Sequence, residues 1–260
     1  MSEILLNKYY DEQSVFLPEN LLREARRQKN KKECSVPAVC LLDPDGDLAS
    51  FLLRHGKATE NHCWACYHSH LYTFELEGVQ IGIIPCIVGS SYAVLVAEQL
   101  FVSGCKLLIS ITSAGIINLP NNSKRFALIT NAIRDEGTSY HYLPPEQPSL
   151  LPSILQQQLS PLRQDKNCPF FEASSWTTDA PYRETQSAIN NRKHQNITCV
   201  EMEAAALYAL ATAKDYKIIC FAHLTNSMAQ SEGDFEKGEE MGSIDTLALL
   251  SYLLKTTIAP

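Results

Sequence analysis

Two hydrophobic rhythms take turns along the chain. Short, nearly continuous apolar runs predict strands: VPAVCLL (36–42), LYTFEL (71–76), VQIGII (79–84), KLLISIT (106–112), RFALITNAI (125–133) and KIICFAH (217–223). Longer stretches with apolar residues three and four apart predict helices: PENLLREARRQ (18–28), SYAVLVAEQLFVSG (91–104), a segment at 149–159, DAPYRETQSAINN (179–191), VEMEAAALYALATAK (200–214) and SIDTLALLSYLLK (243–255). Strands alternating with helices place the protein in the α/β class, as a single domain with a mixed central β-sheet flanked by helices. The mixed character comes from the turn Glu77–Val79, where Gly78 between two apolar runs predicts a tight antiparallel hairpin. No internal repeat interrupts this order, and Pro144, Pro145 and Pro148 punctuate a loop without dividing the chain. The α/β domain is expected over 36–260, preceded by an N-terminal helical arm at 1–35.

One helical stretch carries an unusual pair of charges. VEMEAAA sets Glu201 and Glu203 two apart at the head of an almost wholly apolar run. Thr198 stands three residues before Glu201, the T-x-x-E spacing of a capping box, so Glu201 is expected to reach back to the Thr198 amide and to favour the positive helix end. Glu203 has no comparable structural reason. It either points to solvent or lines a pocket and receives hydroxyl donors.

Composition narrows the function classes. A net charge of −7 on 260 residues argues against general nucleic-acid binding, which needs a cationic surface to release counterions. The local exception is LLREARRQKNKKE, where Arg23, Arg26, Arg27, Lys29, Lys31 and Lys32 crowd together; cationic side chains also suit a helix C-terminus. The N-terminus lacks a basic segment followed by an apolar one, and no apolar run is long enough to span a bilayer, so a cytoplasmic protein is expected. Nine scattered cysteines, odd in number, fit reduced thiols there. NHCWACYHSH offers Cys63, Cys66, His68 and His70, ligand types that zinc accepts, but the four are packed without the usual long separation between ligand pairs, and no metal is expected.

VEMEAAALYALA resembles the ribose-binding helix of the nucleoside phosphorylase and nucleosidase family. There a Met packs on the sugar and the following Glu accepts its 2′ and 3′ hydroxyls, which the resemblance places at Met202 and Glu203. An ionised carboxylate suits a vicinal diol, because charge-assisted bonds are the stronger kind. LLISITSAGII resembles the family's strand and Gly-containing turn, which implies that Ser113 and Gly115 meet phosphate or the attacking water. TSYHYLPP and SWTTDAPYRET are closest to the uridine phosphorylase-like branch, and Tyr182 matches a position that packs on the base. In HLTNSMAQSEGDFEKGEE, Asn226 stands where purine-specific members carry the Asp that protonates the leaving base; an amide hydrogen-bonds a base but delivers no such proton.

The resemblance implies a phosphorylase that transfers the pentose to phosphate, in nucleoside salvage or catabolism, with Asn226 and Glu203 as catalytic residues and Ser113, Gly115, Tyr182 and Met202 in the substrate site. It implies no cofactor beyond phosphate as co-substrate, no nucleic-acid or membrane partner, and a homo-oligomer. The phosphate side departs from the family pattern. Ser110, Leu48 and the region of Tyr67 and His68 stand where arginines are expected, with Arg134, Arg183, Lys57, His55, His68 and His70 as possible substitutes. Hydrolysis of the same bond by water, and nucleoside binding without turnover, are the alternatives.

Overall fold

The computed structural model describes residue 5 and residues 7–118, 124–227 and 232–256. Within the segment HLTNSMAQSEGDFEKGEE, residues 228–231 lie outside the described part. Ten strands form one mixed sheet. The parallel pairs β1 (Val39–Asp43) with β4 (Val79–Pro85), and β1 with β5 (Leu107–Ile116), make its centre. β3 (Tyr72–Leu76) and β2 (Ala58–Glu60) continue it by antiparallel pairing to one edge. On the other side the sheet curls back on itself. β5 pairs with β10 (Ile218–Asn226), β10 with β6 (Phe126–Asp135), β6 with β8 (Phe170–Thr178), β8 with β9 (Cys199–Glu201), and β9 again with β5. β7 (Ser149–Leu150) pairs with β6.

The apolar runs of β1 and β10 are continuous because both faces of these strands are covered. Every residue of β1 and of β10 is buried, so their sequences show no polar alternation. The expected hairpin forms: Leu76 pairs with Val79, and Glu77 and Gly78 both take the left-handed backbone conformation of a tight turn. Flanking helices are α1 (Pro18–Lys29), α2 (Asp47–Arg54), α3 (Ser90–Val102), α4 (Ser153–Leu159), α5 (Gln186–His194), α6 (Ala204–Lys214) and α7 (Ser243–Thr256). α6 is buried from Ala204 through Ala211. Its alanines allow close packing on the sheet, and Tyr208 locks it there: the hydroxyl donates to the Ile129 carbonyl on β6 and accepts the Cys220 amide on β10 at 3.0 Å. No described helix is long and apolar enough to cross a membrane.

Four local expectations are corrected. The helix expected from Val200 begins only at Ala204, because Val200 and Glu201 belong to β9, where Val200 pairs with both Gly115 and Trp176. The capping box with Thr198 therefore does not form; the Thr198 amide bonds the Ser174 carbonyl instead. The helix expected over 179–191 starts at Gln186, capped by the Thr185 hydroxyl, and residues 181–183 form a single 3-10 turn. β8 and α2 are elements that hydropathy does not announce: FFEASSWTT is rich in hydroxyls and DLASFLLR follows an acidic loop. Finally, Cys34 and Cys63 are joined in a disulfide, which corrects the expectation of reduced thiols at that pair and removes Cys63 as a thiolate ligand for zinc; the other seven cysteines are free.

Candidate functional site

Gly115 is the junction from which the site is built. It pairs with Asn226 on β10 and with Val200 on β9, so three strands converge at one residue. β10 carries a bulge between Leu224 and Asn226, which re-aims its last residue. This convergence brings Ser113, Gly115, Asn226, Met202 and Glu203 to one end of the sheet, although they are separated by up to half the chain. Tyr182 is not brought in with them. It lies four residues past the end of β8, and its side chain is 99% exposed.

The two glutamates of VEMEAAA have opposite environments. Both are buried. Glu201 is fully satisfied: one oxygen accepts the Ser175 hydroxyl at 2.9 Å and the Thr177 hydroxyl at 2.5 Å, and the other accepts the amides of Glu203 and Ala204, both at 2.7 Å. It therefore serves the first free amides of α6 after all, from a strand and without Thr198. The hydroxyls of β8, uninformative as hydropathy, are the donors that let this carboxylate be buried. Glu203 accepts the Gly89 amide at 2.7 Å on Oε1, while Oε2 is buried with no hydrogen-bond partner among the described residues. Next to it, Ser90 donates to the Met202 carbonyl at 2.7 Å, so the start of α3 clasps both residues. Burial pushes the Glu203 carboxyl up to about 8, and the neighbouring charge of Glu201 adds to the shift.

On the far side of Ser113 lies a cavity of about 20 Å³, room for one water molecule, lined in part by Asp43, Asp45, Asp47, Thr112, Ser113, His223 and Ser243. Here the loop after β1 does something the sequence did not disclose. Asp45 Oδ2 accepts both donors of Ser113, the amide at 3.1 Å and the hydroxyl at 2.5 Å. Lys237, only 9% exposed, bridges this carboxylate to the next acid, with Nζ 3.5 Å from Asp45 and 2.5 Å from Asp47. Burial holds Asp43 up at about 7, with Asp45 and Asp47 adding to the rise, and holds His223 down at about 4, so its imidazole is neutral at physiological pH. His223 stacks on Phe126, and its Nε2 is buried without a partner. Gly242, with φ +78°, packs directly on that imidazole, leaving no space for a side chain.

Four of the six cationic substitutes proposed from sequence are employed elsewhere. The Arg134 guanidinium donates to Ser139 and to the carbonyls of Leu143, Pro144 and Gln147, holding a loop. Lys57 lies over the Phe51 ring, His55 bonds the Phe51 carbonyl, and His70 faces Glu60. Sequence reasoning missed Asp45, Lys237 and His223. The signal for the first two was opposite charge in two loops, DPDGD and FEKGE, but nothing local says that these loops meet.

One end of the mixed sheet thus collects a buried carboxylate, an amide side chain and Gly115, which lies within β5 and not in the turn expected from sequence. Residues 38–255 match the Phosphorylase superfamily, and the chain belongs to that family. It is 22% identical over 167 residues to a guanosine phosphorylase of Halorubrum lacusprofundi, covering 64% of this chain and 66% of that protein, just under two thirds of its length. Among solved structures, a uridine phosphorylase from Vibrio fischeri ES114 superposes with a TM-score of 0.70 at 16% identity, over 87% of this chain and 97% of that one. An AMP nucleosidase from Bacteroides thetaiotaomicron does so with a TM-score of 0.65 at 21% identity, over 84% and 90%. The last two likenesses establish the fold.

Proposed function

We propose that this protein cleaves the N-glycosidic bond of a ribonucleoside. The observation that carries the reading is Glu203: a buried carboxylate with one oxygen fixed by Gly89 and the other without a hydrogen-bond partner among the described residues, beside Met202 at the meeting of three strands. An unsatisfied buried carboxylate oxygen is costly unless something arrives to donate to it, and a vicinal ribose diol supplies two hydroxyl donors. Asn226 then hydrogen-bonds the departing base, and Ser113 with Gly115 flanks the nucleophile.

In this reading water is the nucleophile. A phosphate dianion needs donors and cations, yet both Ser113 donors are taken by Asp45 and the nearby Lys237 is already neutralised by two aspartates. The Asp45 carboxylate, which accepts both Ser113 donors, then takes a proton from the attacking water. In the balanced step, water oxygen bonds the anomeric carbon, the C–N pair leaves with the base, and one water proton passes to Asp45. Phosphorolysis is the second reading, favoured by the family and by the guanosine phosphorylase relative. It requires Asp45 to leave Ser113, which would free two donors and Lys237 for phosphate.

Base release from a nucleoside panel, measured with and without phosphate, separates the two. Equal rates and free ribose support water; strict phosphate dependence with ribose 1-phosphate as product overturns it. Asp45→Ala sharpens the result, since it abolishes hydrolysis but improves phosphate use if Asp45 merely obstructs. Assembly as a homo-oligomer belongs to the same reading, supported by the exposed Val88 and Leu95 near and on α3, and sedimentation tests it.

A further inference from the structure

The basic stretch around α1 takes no part in the nucleoside site, and in the structure it is more than a solvated helix end. Between α1 and the end of α3 runs a cleft of about 380 Å³, lined by Glu19, Asn20, Leu22, Arg23, Arg26, Lys31, Glu33 and Val102. That size falls within the range of small-molecule sites. One of the helix's two acids, Glu24, is engaged by the flanking arginines, Arg27 at 2.8 Å and Arg23 at 3.4 Å. Arg23 also holds Asn20, and Lys31 donates to the Trp64 carbonyl. Arg26 is left over. The residue lines the cleft, and its Nε is buried with no hydrogen-bond partner among the described residues.

We propose that this cleft binds a small phosphate monoester that also carries hydroxyl groups, a sugar phosphate or a nucleoside monophosphate. A buried guanidinium nitrogen without an acceptor is unfavourable, and a planar fork of donors matches phosphate oxygens. Arg23 and Lys31 add positive charge on the same walls. The acceptors there, the carboxylates of Glu19 and Glu33 with Asn20, repel a bare anion but receive hydroxyl donors, so the esterified sugar is recognised along with its phosphate. Leu22 and Val102 give its carbon skeleton an apolar floor. The cleft is independent of Glu203, and its occupancy is read by binding, without reference to turnover.

The test is isothermal titration of the full chain with ribose 5-phosphate, adenosine monophosphate, inorganic phosphate and ribose at fixed ionic strength. Expected is one site per chain for at least one ester, in roughly the micromolar-to-millimolar range, with weaker binding of inorganic phosphate and none of ribose. Arg26→Met, which keeps the aliphatic stem, weakens ester binding at least about tenfold, and Arg26→Lys weakens it less. Each variant's circular dichroism and nucleoside binding stay as in the parent. Should Arg26→Met misfold, Arg23→Gln provides the same comparison. Three results overturn the proposal: no binding of either ester, undiminished binding by a folded Arg26→Met, or displacement of the ester by a nucleoside. If the first is found and the parent's assembly dissociates on Arg26→Met, the guanidinium serves a second copy. Loss of nucleoside turnover in the parent would count against the proposed function alone.

Discussion

At the scale of single residues, the two glutamates of VEMEAAA make separable predictions. Glu201 accepts four hydrogen bonds inside the core, so Glu201→Ala strands the hydroxyls of Ser175 and Thr177 and two amides. Thermal or urea unfolding should show a loss of about 2–4 kcal/mol, the cost of breaking a buried polar network; an unchanged midpoint would remove Glu201 from that role. Glu203→Gln leaves the packing in place and changes an acceptor that awaits a partner. Its expected effect is a fall in kcat/KM for ribonucleosides of about 1–3 kcal/mol, with a smaller effect on 2′-deoxyribonucleosides. The raised Glu203 carboxyl adds a pH signature. Below about pH 8 the free protein carries a proton where the diol must donate, so nucleoside affinity should climb as pH rises from 6 toward 8, and Glu203→Gln should flatten that climb. The linkage to folding has the opposite sense. Between the ordinary carboxylate value of 4.5 and about 8 the folded chain keeps a proton that the unfolded chain has lost, so this group's contribution to stability declines as pH rises through that window.

At the scale of elements, the loop after β1 and the segment before α7 act together. Lys237 holds Asp45 and Asp47, the Glu236 amide bonds the Thr225 carbonyl on β10, and Arg54 of α2 meets Glu240 at 3.0 Å. Replacing Lys237 by Met leaves two neighbouring carboxylates without their shared cation. If Asp45 activates water, the acid limb of the pH–rate profile should move upward in Lys237→Met, because its proton is then held more tightly. A profile that keeps its shape while only the maximal rate changes would make Lys237 a purely structural clamp. Gly242, at the end of the 3-10 turn that leads into α7, tests the packing of the same segment: Gly242→Ala drives a methyl into the His223 ring at a left-handed backbone position and should destabilise the protein measurably.

At the scale of the whole molecule, the N-terminal arm is stapled to the body. The Cys34–Cys63 disulfide closes a segment of 29 residues, and Lys29 and Lys31 donate to the carbonyls of residues 64–66 beside it. A loop of that length predicts a loss of about 3–4 kcal/mol on reduction. Melting with and without a reductant checks this, with Cys34→Ser as the control that should be insensitive to it. The same staple explains why the cysteine reading failed: an odd, scattered count says nothing of which two Cα atoms the fold brings within 5.2 Å.

What the sequence determined by itself was whatever local hydropathy and residue type control. β1, β3, β4, β5, β6 and β10 were legible as apolar runs, those of β1 and β10 because both of their faces are covered, and the hairpin at Gly78 because a left-handed turn selects glycine. Met202 and Glu203 were legible as a pattern of types. The tertiary structure alone decided the rest. It turned Val200 and Glu201 into strand, since pairing with β5 and β8 outweighs the helix preference of the residues that follow. It made a strand of FFEASSWTT, whose hydroxyls are worth burying only because a carboxylate 24 or 26 residues away needs them. And it set Asp45 on Ser113, a contact across 68 residues whose chemistry is simple and whose existence depends on which strand ends the sheet places side by side.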